Sequence, residues 1–296
     1  MKKVLLIVNP SSGGEKAKSF ERKFKKKLEE FFDFVEVKHT EKSGDAEKFA
    51  SHAAEEEFTA VFAMGGDGTV NEVISGLAEK DFRPKFGFLP LGTVNDLARA
   101  LKIPLDVNEA ISNFNFRKTR PLDIGKINDK YFMNVVAIGV LPEAINDVAP
   151  ELKTKIGKLA YFISGFRKIM ENRPRKYRIT FNGEKRKIKT STILIGLTNS
   201  IGGFEQILPR AKVDDGKLHL IWTKDKNIFG MMRALPNLIF GVTKTTENLE
   251  YHRIKNVKIE LKKHKQFFTN VDGDKGDALP VEIKILPSHI EVYGGK

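Results

Sequence analysis

The chain has 296 residues, 41% of them hydrophobic, a formal charge of +13 and no cysteine. That length exceeds a single domain of about 100 to 150 residues and supports two cores. The missing thiols exclude disulfides, cysteine nucleophiles and cysteine-based zinc sites, and fit a reducing cytosol. The positive surplus favours anionic partners such as acidic lipid or nucleic acid.

In chain order, the first apolar run is Val4 to Val8, closed by Asn9-Pro10. It is too short for a signal peptide or a membrane span and reads as a buried strand. The pattern then predicts a helix from Glu15 to Phe32, with Ala17, Phe20, Phe24, Leu28 and Phe31 as its apolar stripe. A strand over Phe34 to Lys38, a helix over Asp45 to Glu57 and a strand over Ala60 to Met64 follow. Next come a helix over Val70 to Glu79, a strand over Phe86 to Leu89 and a helix over Val94 to Leu101. Such alternation predicts an α/β fold built on a doubly wound, mainly parallel sheet, with ligands beyond the carboxyl ends of the strands.

After Pro121 the period changes to two. Strand-like runs cover 131–138, 178–181, 190–198, 217–223, 257–261, 267–271 and 281–286, separated by turns such as Asn182-Gly183 and Asp214-Asp215-Gly216. They predict a second, antiparallel β-sandwich domain, interrupted by helices over Lys155 to Glu171 and Ile228 to Phe240. The expected boundaries are 1–122, with a C-terminal return at 287–296, for the nucleotide-binding α/β domain and 123–286 for the sandwich. Charge is uneven. Between Lys153 and Lys189 thirteen Lys and Arg face only Glu171 and Glu184, a surplus of eleven.

Three turns each follow a strand and open a helix: Asn9-Pro10-Ser11-Ser12-Gly13-Gly14, Gly65-Gly66-Asp67-Gly68-Thr69-Val70-Asn71-Glu72 and Pro90-Leu91-Gly92-Thr93-Val94-Asn95-Asp96. Glycines let the backbone approach a ligand, and a helix N-terminus offers free N–H groups and a positive dipole end to phosphate. Each turn alone is ordinary turn chemistry. Together, on one sheet edge, they predict a phosphate-binding pocket. Neither the Walker loop nor the dinucleotide fingerprint is present.

The motif set resembles the diacylglycerol kinase catalytic family, whose signatures Asn-Pro-x-x-Gly, Gly-Gly-Asp-Gly-Thr-x-Asn-Glu and Pro-x-Gly-Thr-x-Asn-Asp are matched by these three turns. Leu122-Asp123-Ile124-Gly125, Ala211 to Gly216 and Asn270-Val271-Asp272-Gly273 extend the resemblance over nearly the whole chain. It is greatest toward the soluble bacterial lipid kinases. The resemblance implies an NAD kinase-like first domain and an enzyme moving the γ-phosphoryl group of ATP, with Mg²⁺, to a membrane lipid hydroxyl, 1,2-diacylglycerol giving phosphatidic acid. Carried over, the nucleotide contacts are Asn9, Pro10, Ser11, Ser12, Gly13, Thr40, Gly66, Asp67, Gly68, Thr69, Val70, Asn71, Glu72 and Thr93. A structural Mg²⁺ is implied at the Asp215 carboxylate with the backbone oxygens of Lys212 and Lys217, and Asp67, Asp96, Asp123 and Asp272 form a candidate metal and water network.

At one point the chain departs from the family, where Asp-Gly-Glu is replaced by Asp272-Gly273-Asp274. Asp274 is the expected proton acceptor and Asp272 its companion in catalysis, although the shorter acid retracts the carboxylate by one methylene. A membrane substrate also calls for docking, so the basic segment 153–189 is expected to meet an anionic membrane surface, as a cytoplasmic protein peripheral to the inner face. A homodimer is compatible with this reading and no nucleic acid partner is expected. Other readings are another lipid alcohol such as phosphatidylglycerol, an NAD kinase-type soluble substrate, and a non-catalytic nucleotide- or nucleic-acid-binding protein.

Overall fold

The structure, a computed structural model, describes residues 1–12, 17–139, 174–203, 205, 207–224, 241–262 and 266–294. Gly13, the helices expected over 155–171 and 228–240, and the 153–173 part of the basic segment lie outside the described residues.

The first part alternates as the pattern requires: β1 (Lys3–Val8), α1 (Ala17–Glu29), β2 (Phe34–His39), α2 (Asp45–Glu55), β3 (Ala60–Gly65), α3 (Asp67–Leu77), β4 (Lys85–Pro90), α4 (Asp96–Leu101) and α5 (Val107–Asn113). Strands β2, β1, β3 and β4 pair in that order, all parallel. The apolar runs of β1, β3 and β4 are buried on both faces, as a helix-covered parallel sheet demands, while edge strand β2 is only partly covered. In α1, Ala17, Phe24 and Leu28 are core, whereas Phe31 is 37% exposed and lies against Phe116.

Helices α1 and α2 end at Glu29 and Glu55, short of the expected Phe32 and Glu57. Two helix starts differ from the sequence reading and one helix is additional, each for a local reason. Helix α3 starts at Asp67 rather than Val70, because extended Gly66 serves as its N-cap. Helix α4 starts at Asp96 rather than Val94, because Asn95 sits in the left-handed region at φ 55°. Helix α5 was not anticipated, although Asp106-Val107-Asn108-Glu109 has the form of a capping box: Asp106 accepts the Glu109 N–H at 2.9 Å.

The rest pairs antiparallel, apart from a parallel contact between the last strand and β4. The strands are β5 (Arg120–Ile127), β6 (Lys130–Phe132), β7 (Val135–Ile138), β8 (Arg175–Phe181), β9 (Glu184–Thr190), β10 (Ile193–Gly196), β11 (Leu218–Thr223) and β12 (Leu249–Ile254). They continue with β13 (Asn256–Leu261), β14 (Phe268–Val271), β15 (Asp274–Ala278) and β16 (Val281–Val292). A six-stranded sheet runs β12-β11-β10-β7-β14-β15. The other antiparallel strands extend the parallel sheet, in the order β4-β16-β13-β8-β9, with β5 and β6 paired off β16. Long β16 joins the two halves: its Ile283 pairs with Val257 of β13, and its Val292 reaches Phe86 of β4. A second core of Phe132, Ile138, Tyr177, Ile179, Ile195, Leu220 and Ile283 fills the space between the two antiparallel layers.

The single run expected over 131–138 is in fact β6 and β7, which belong to different sheets. The chain changes sheet at Met133-Asn134, where the N–H groups of Met133, Asn134 and Val135 turn onto the Asp272 carboxylate at 2.8, 3.0 and 2.7 Å. A side chain far along the chain therefore holds this crossing.

Candidate active site

Parallel strands β1 to β4 deliver four loops to one rim. Past β1, Asn9 donates from Nδ2 to Thr69 Oγ1 at 3.1 Å, and its Oδ1 accepts the Ser11 N–H and hydroxyl at 3.0 and 2.7 Å. Pro10 and Ser11 are exposed at the loop tip, with Ser12 partly covered. Past β2, the Thr40 N–H bonds the Val8 carbonyl at 2.9 Å, so Thr40 lies beside the Asn9 turn.

Past β3 and β4 the loops touch backbone to backbone. A Cβ on Gly92 would lie 2.8 Å from Gly66 Cα and 2.8 Å from Asn95 Oδ1, closer than any side chain tolerates. Asp67 ties the contact by accepting the Asn95 N–H at 2.8 Å and the Asp96 N–H at 3.0 Å, capping α4 from another loop. No side chain caps α3, so its first turn keeps free N–H groups facing the rim beside exposed Gly68. Thr93 is exposed at its loop tip. Val70 is core and its N–H bonds Gly66, whereas Glu72 Oε1 accepts from Ser43 Oγ and Gly44 N at 3.0 and 2.9 Å, fastening the start of α2. Asn71 Oδ1 is buried with no partner.

Asp96 reaches into the antiparallel half. Its Oδ1 accepts from Ser200 Oγ at 2.6 Å and Gly203 N at 2.9 Å, and its Oδ2 from Gly202 N at 2.7 Å. The 197–203 loop is thus part of the site, and sequence reasoning missed it. A second paired glycine, Gly202-Gly203 at φ 62° and 83°, was its only signal.

Beyond the rim stands the β14–β15 hairpin. Asp272 and Gly273, at φ 49° and 101°, form a two-residue turn between paired Val271 and Asp274. Burial pushes the Asp272 carboxyl up to about 6 despite its three N–H donors, with the charge of Asp96 adding to the rise. Asp274 opens β15 with its side chain exposed. Burial likewise raises the Asp67 carboxyl, with Asp96 again contributing. The charge of Asp96 thus reaches both Asp67 and Asp272, and among the described residues none of the three makes an ion pair.

A raised carboxyl has a definite consequence for stability. Between about pH 4 and 6 the folded state holds a proton on Asp272 that the unfolded chain has released, so this group's contribution is full below pH 4 and is lost as pH passes 6. The shift corresponds to at most about 3 kcal/mol. Asp272→Asn is expected to flatten the fall in urea-unfolding free energy between pH 4 and 7. An unchanged slope would place the titration elsewhere.

Asp123 and Asp215 lie apart from this group. Asp123 accepts Gly216 N at 2.6 Å and Ser288 N at 2.7 Å, and burial together with Asp215 and Asp214 raises its carboxyl. Asp215 Oδ1 accepts Lys217 N at 2.9 Å, and its Oδ2 meets His219 Nε2 at 3.1 Å and Arg253 Nη2 at 3.2 Å. The Lys212 carbonyl accepts the Asp215 N–H at 3.4 Å. Arg253 already answers the Asp215 charge, whereas among the described residues Asp67, Asp96 and Asp272 have no cationic partner. Each carboxylate oxygen of the three already accepts an N–H or O–H hydrogen bond, so a divalent cation brought with a nucleotide would compete with these donors. No group of three or more acidic, His or Cys side chains is preformed around a cation among the described residues.

The family model of the diacylglycerol kinase catalytic domain matches residues 3–127, which contain all four rim loops. The YegS C-terminal NAD kinase beta sandwich-like domain matches residues 134–294. A diacylglycerol kinase of Bacillus subtilis is 36% identical over 99% of this chain and 96% of its own. The chain belongs to the diacylglycerol kinase family. A Streptococcus pneumoniae protein named provisionally as a lipid kinase is 41% identical over 99% of this chain and 98% of its own. The crystal structure of a Bacillus anthracis protein provisionally named a diacylglycerol kinase superposes with a TM-score of 0.85 at 29% identity, covering 99% of this chain and 95% of that one. As a member of this kinase family the chain is an enzyme, and the family implies ATP as phosphoryl donor. No helix among the described residues is long and apolar enough to cross a membrane.

Proposed function

We propose that this chain transfers the γ-phosphoryl group of ATP to the hydroxyl of a membrane lipid, with 1,2-diacylglycerol as acceptor and phosphatidic acid as product. The observation that carries the reading is the rim itself: four loops and an uncapped helix N-terminus beside three carboxylates that no basic side chain among the described residues answers. Phosphoryl transfer asks little covalent chemistry of a protein, chiefly in-line positioning, charge neutralisation and a proton acceptor.

In this reading the Asn9 to Ser12 turn, Thr40, Gly66 to Glu72 and Thr93 hold the nucleotide, with backbone N–H groups at the start of α3 facing its phosphates. Magnesium, when bound with ATP, supplies charge neutralisation there. Asp67 and Asp96 would hold it, with Asp123 and Asp272 extending the acidic network and Lys212, Asp215 and Lys217 as a structural site that requires Arg253 to release Asp215. Asp272 positions the hairpin through Met133 to Val135, and exposed Asp274 takes the proton of the acceptor hydroxyl. Segment 1–122 with the return at 287–296 serves the nucleotide and 123–286 the lipid. The protein works at the cytoplasmic face of the membrane, drawn by its basic segment 153–189.

Radiolabelled ATP with magnesium and a panel of diacylglycerol, phosphatidylglycerol and NAD tests the reading, with Asp67→Ala as control. Label is expected in phosphatidic acid with the native chain and at least about 100-fold less with the variant, since loss of the α4 cap displaces Asp96. Label in NADP, or none in any lipid, would overturn it.

A further inference from the structure

Away from the rim, the outward face of β8, β9 and β13 is strongly basic. These strands turn Tyr177, Ile179, Phe181, Val257 and Ile259 inward and leave Lys176, Arg178, Lys187 and Lys189 exposed. Lys176 lies directly opposite Lys189, and the Lys262 N–H, just past β13, bonds the Lys176 carbonyl at 3.1 Å. Three lysines therefore stand in one row across three strands, about 5 Å from neighbour to neighbour. In the next row Arg178 lies between Lys187 and Glu260.

Together these side chains wall a groove of about 390 Å³. Glu260 answers Arg178 at 3.6 Å, while Lys176, Lys187, Lys189 and Lys262 make no ion pair among the described residues. Like charges directly opposite one another destabilise a strand pair. Lysines on an edge strand deter edge-to-edge pairing, which accounts for β9. It does not account for β8 and β13, which are interior strands of this sheet. A bound anion would relieve that repulsion.

We propose that this groove binds phosphomonoester headgroups of lipids at a bilayer surface. A phosphomonoester carries close to two negative charges near pH 7 and three terminal acceptor oxygens, and each ammonium offers three donors. A phosphodiester brings one charge and fewer free oxygens, so the lysine row favours the monoester. Among the described residues no exposed aromatic lines the groove to stack a base, Tyr177 being 2% exposed, which disfavours single-stranded nucleic acid. The choice of a lipid phosphate rests on the lipid kinase reading. If that reading holds, the enzyme's own product occupies the groove and keeps the protein where its substrate lies.

Vesicle sedimentation of the full chain without ATP tests the groove independently of catalysis. Phosphatidylcholine vesicles would carry either phosphatidic acid or phosphatidylglycerol, matched in surface charge, in about 0.15 M salt. The native chain is expected to bind the phosphatidic acid vesicles at least about fivefold more tightly, roughly the effect of one added charge. The combined Lys176→Gln, Lys189→Gln and Lys262→Gln variant is expected to lose that preference while still binding phosphatidylglycerol. Its thermal midpoint should equal or exceed the native one, because the like-charge row is gone. The proposal fails if the native chain shows no headgroup preference, if the variant keeps it, or if both lipids lose binding equally. It fails also if inorganic phosphate alone raises the native midpoint and no vesicle preference exists, or if the substitutions abolish binding of an RNA oligonucleotide and leave vesicle binding intact. Absence of kinase activity would leave this measurement unaffected.

Discussion

Asp96→Ala is expected to lower phosphoryl transfer at least about 100-fold and to cost about 2 to 4 kcal/mol of stability. The side chain is 8% exposed and accepts from Ser200 Oγ, Gly202 N and Gly203 N, all from the antiparallel half, while its own N–H is held by Asp67. Truncation leaves three donors without their acceptor at the seam between the halves, and a buried unsatisfied donor costs about 1 to 3 kcal/mol before water relieves it. The kinetic loss has a separate origin. Asp96 couples the rim loops of the parallel half to the 197–203 loop, and in the proposed reaction a displacement of about 1 Å is enough to remove two orders of magnitude in rate. Ser200→Ala removes one of the three bonds and should cost only about 1 kcal/mol, with a correspondingly smaller change in kcat. Urea unfolding and steady-state kinetics on the two variants measure both effects. An Asp96→Ala protein with native stability would show that water replaces the carboxylate at this seam.

Why the rim was legible from sequence and the seam was not follows from where the information lies. Asn9, Gly66, Asp67 and Asn95 sit in short turns between a strand and a helix, so each carries a local signature, and the parallel order of β1 to β4 brings the turns to one edge. The Asp67 contacts at Asn95 and Asp96 join two recognisable motifs. Ser200 to Gly203 had no such frame, because what makes them part of the site is a carboxylate 104 or more positions earlier in the chain. The split of 131–138 into β6 and β7 was hidden for the same reason. The apolar run from Tyr131 to Ile138 passes through Met133-Asn134 with no glycine or proline to break it, and only the distant Asp272 carboxylate shows why the backbone changes sheet there. Strands β9 and β15 escaped notice because Glu184 to Lys189 and Asp274 to Asp277 are charged on both parities, and pairing with β8 and β14 decides them. The α5 helix is a different kind of miss, since its capping box was present in the sequence.

Asp274 bears the largest expected effect on chemistry with the smallest on stability. The hairpin turn at Asp272 and Gly273 fixes where β15 begins, and the three N–H bonds of Asp272 fasten that turn to the sheet crossing. Asp274 is thereby held by its backbone while its exposed carboxylate has no partner among the described residues. Asp274→Asn is expected to lower kcat by about 100-fold to 10,000-fold, the range of a lost general base, with unchanged urea unfolding and ATP affinity. Asp274→Glu is the sharper experiment. It extends the carboxylate by one methylene toward the acceptor and restores the acid found in the family pattern, so kcat should rise above the native value with little change in KM. Asp272→Ala should behave differently, losing stability as well as rate, because three backbone donors lose their acceptor at once. If Asp274→Asn retained full activity while Asp272→Asn did not, the proton would go to Asp272, whose carboxyl at about 6 is poised to exchange it near neutral pH.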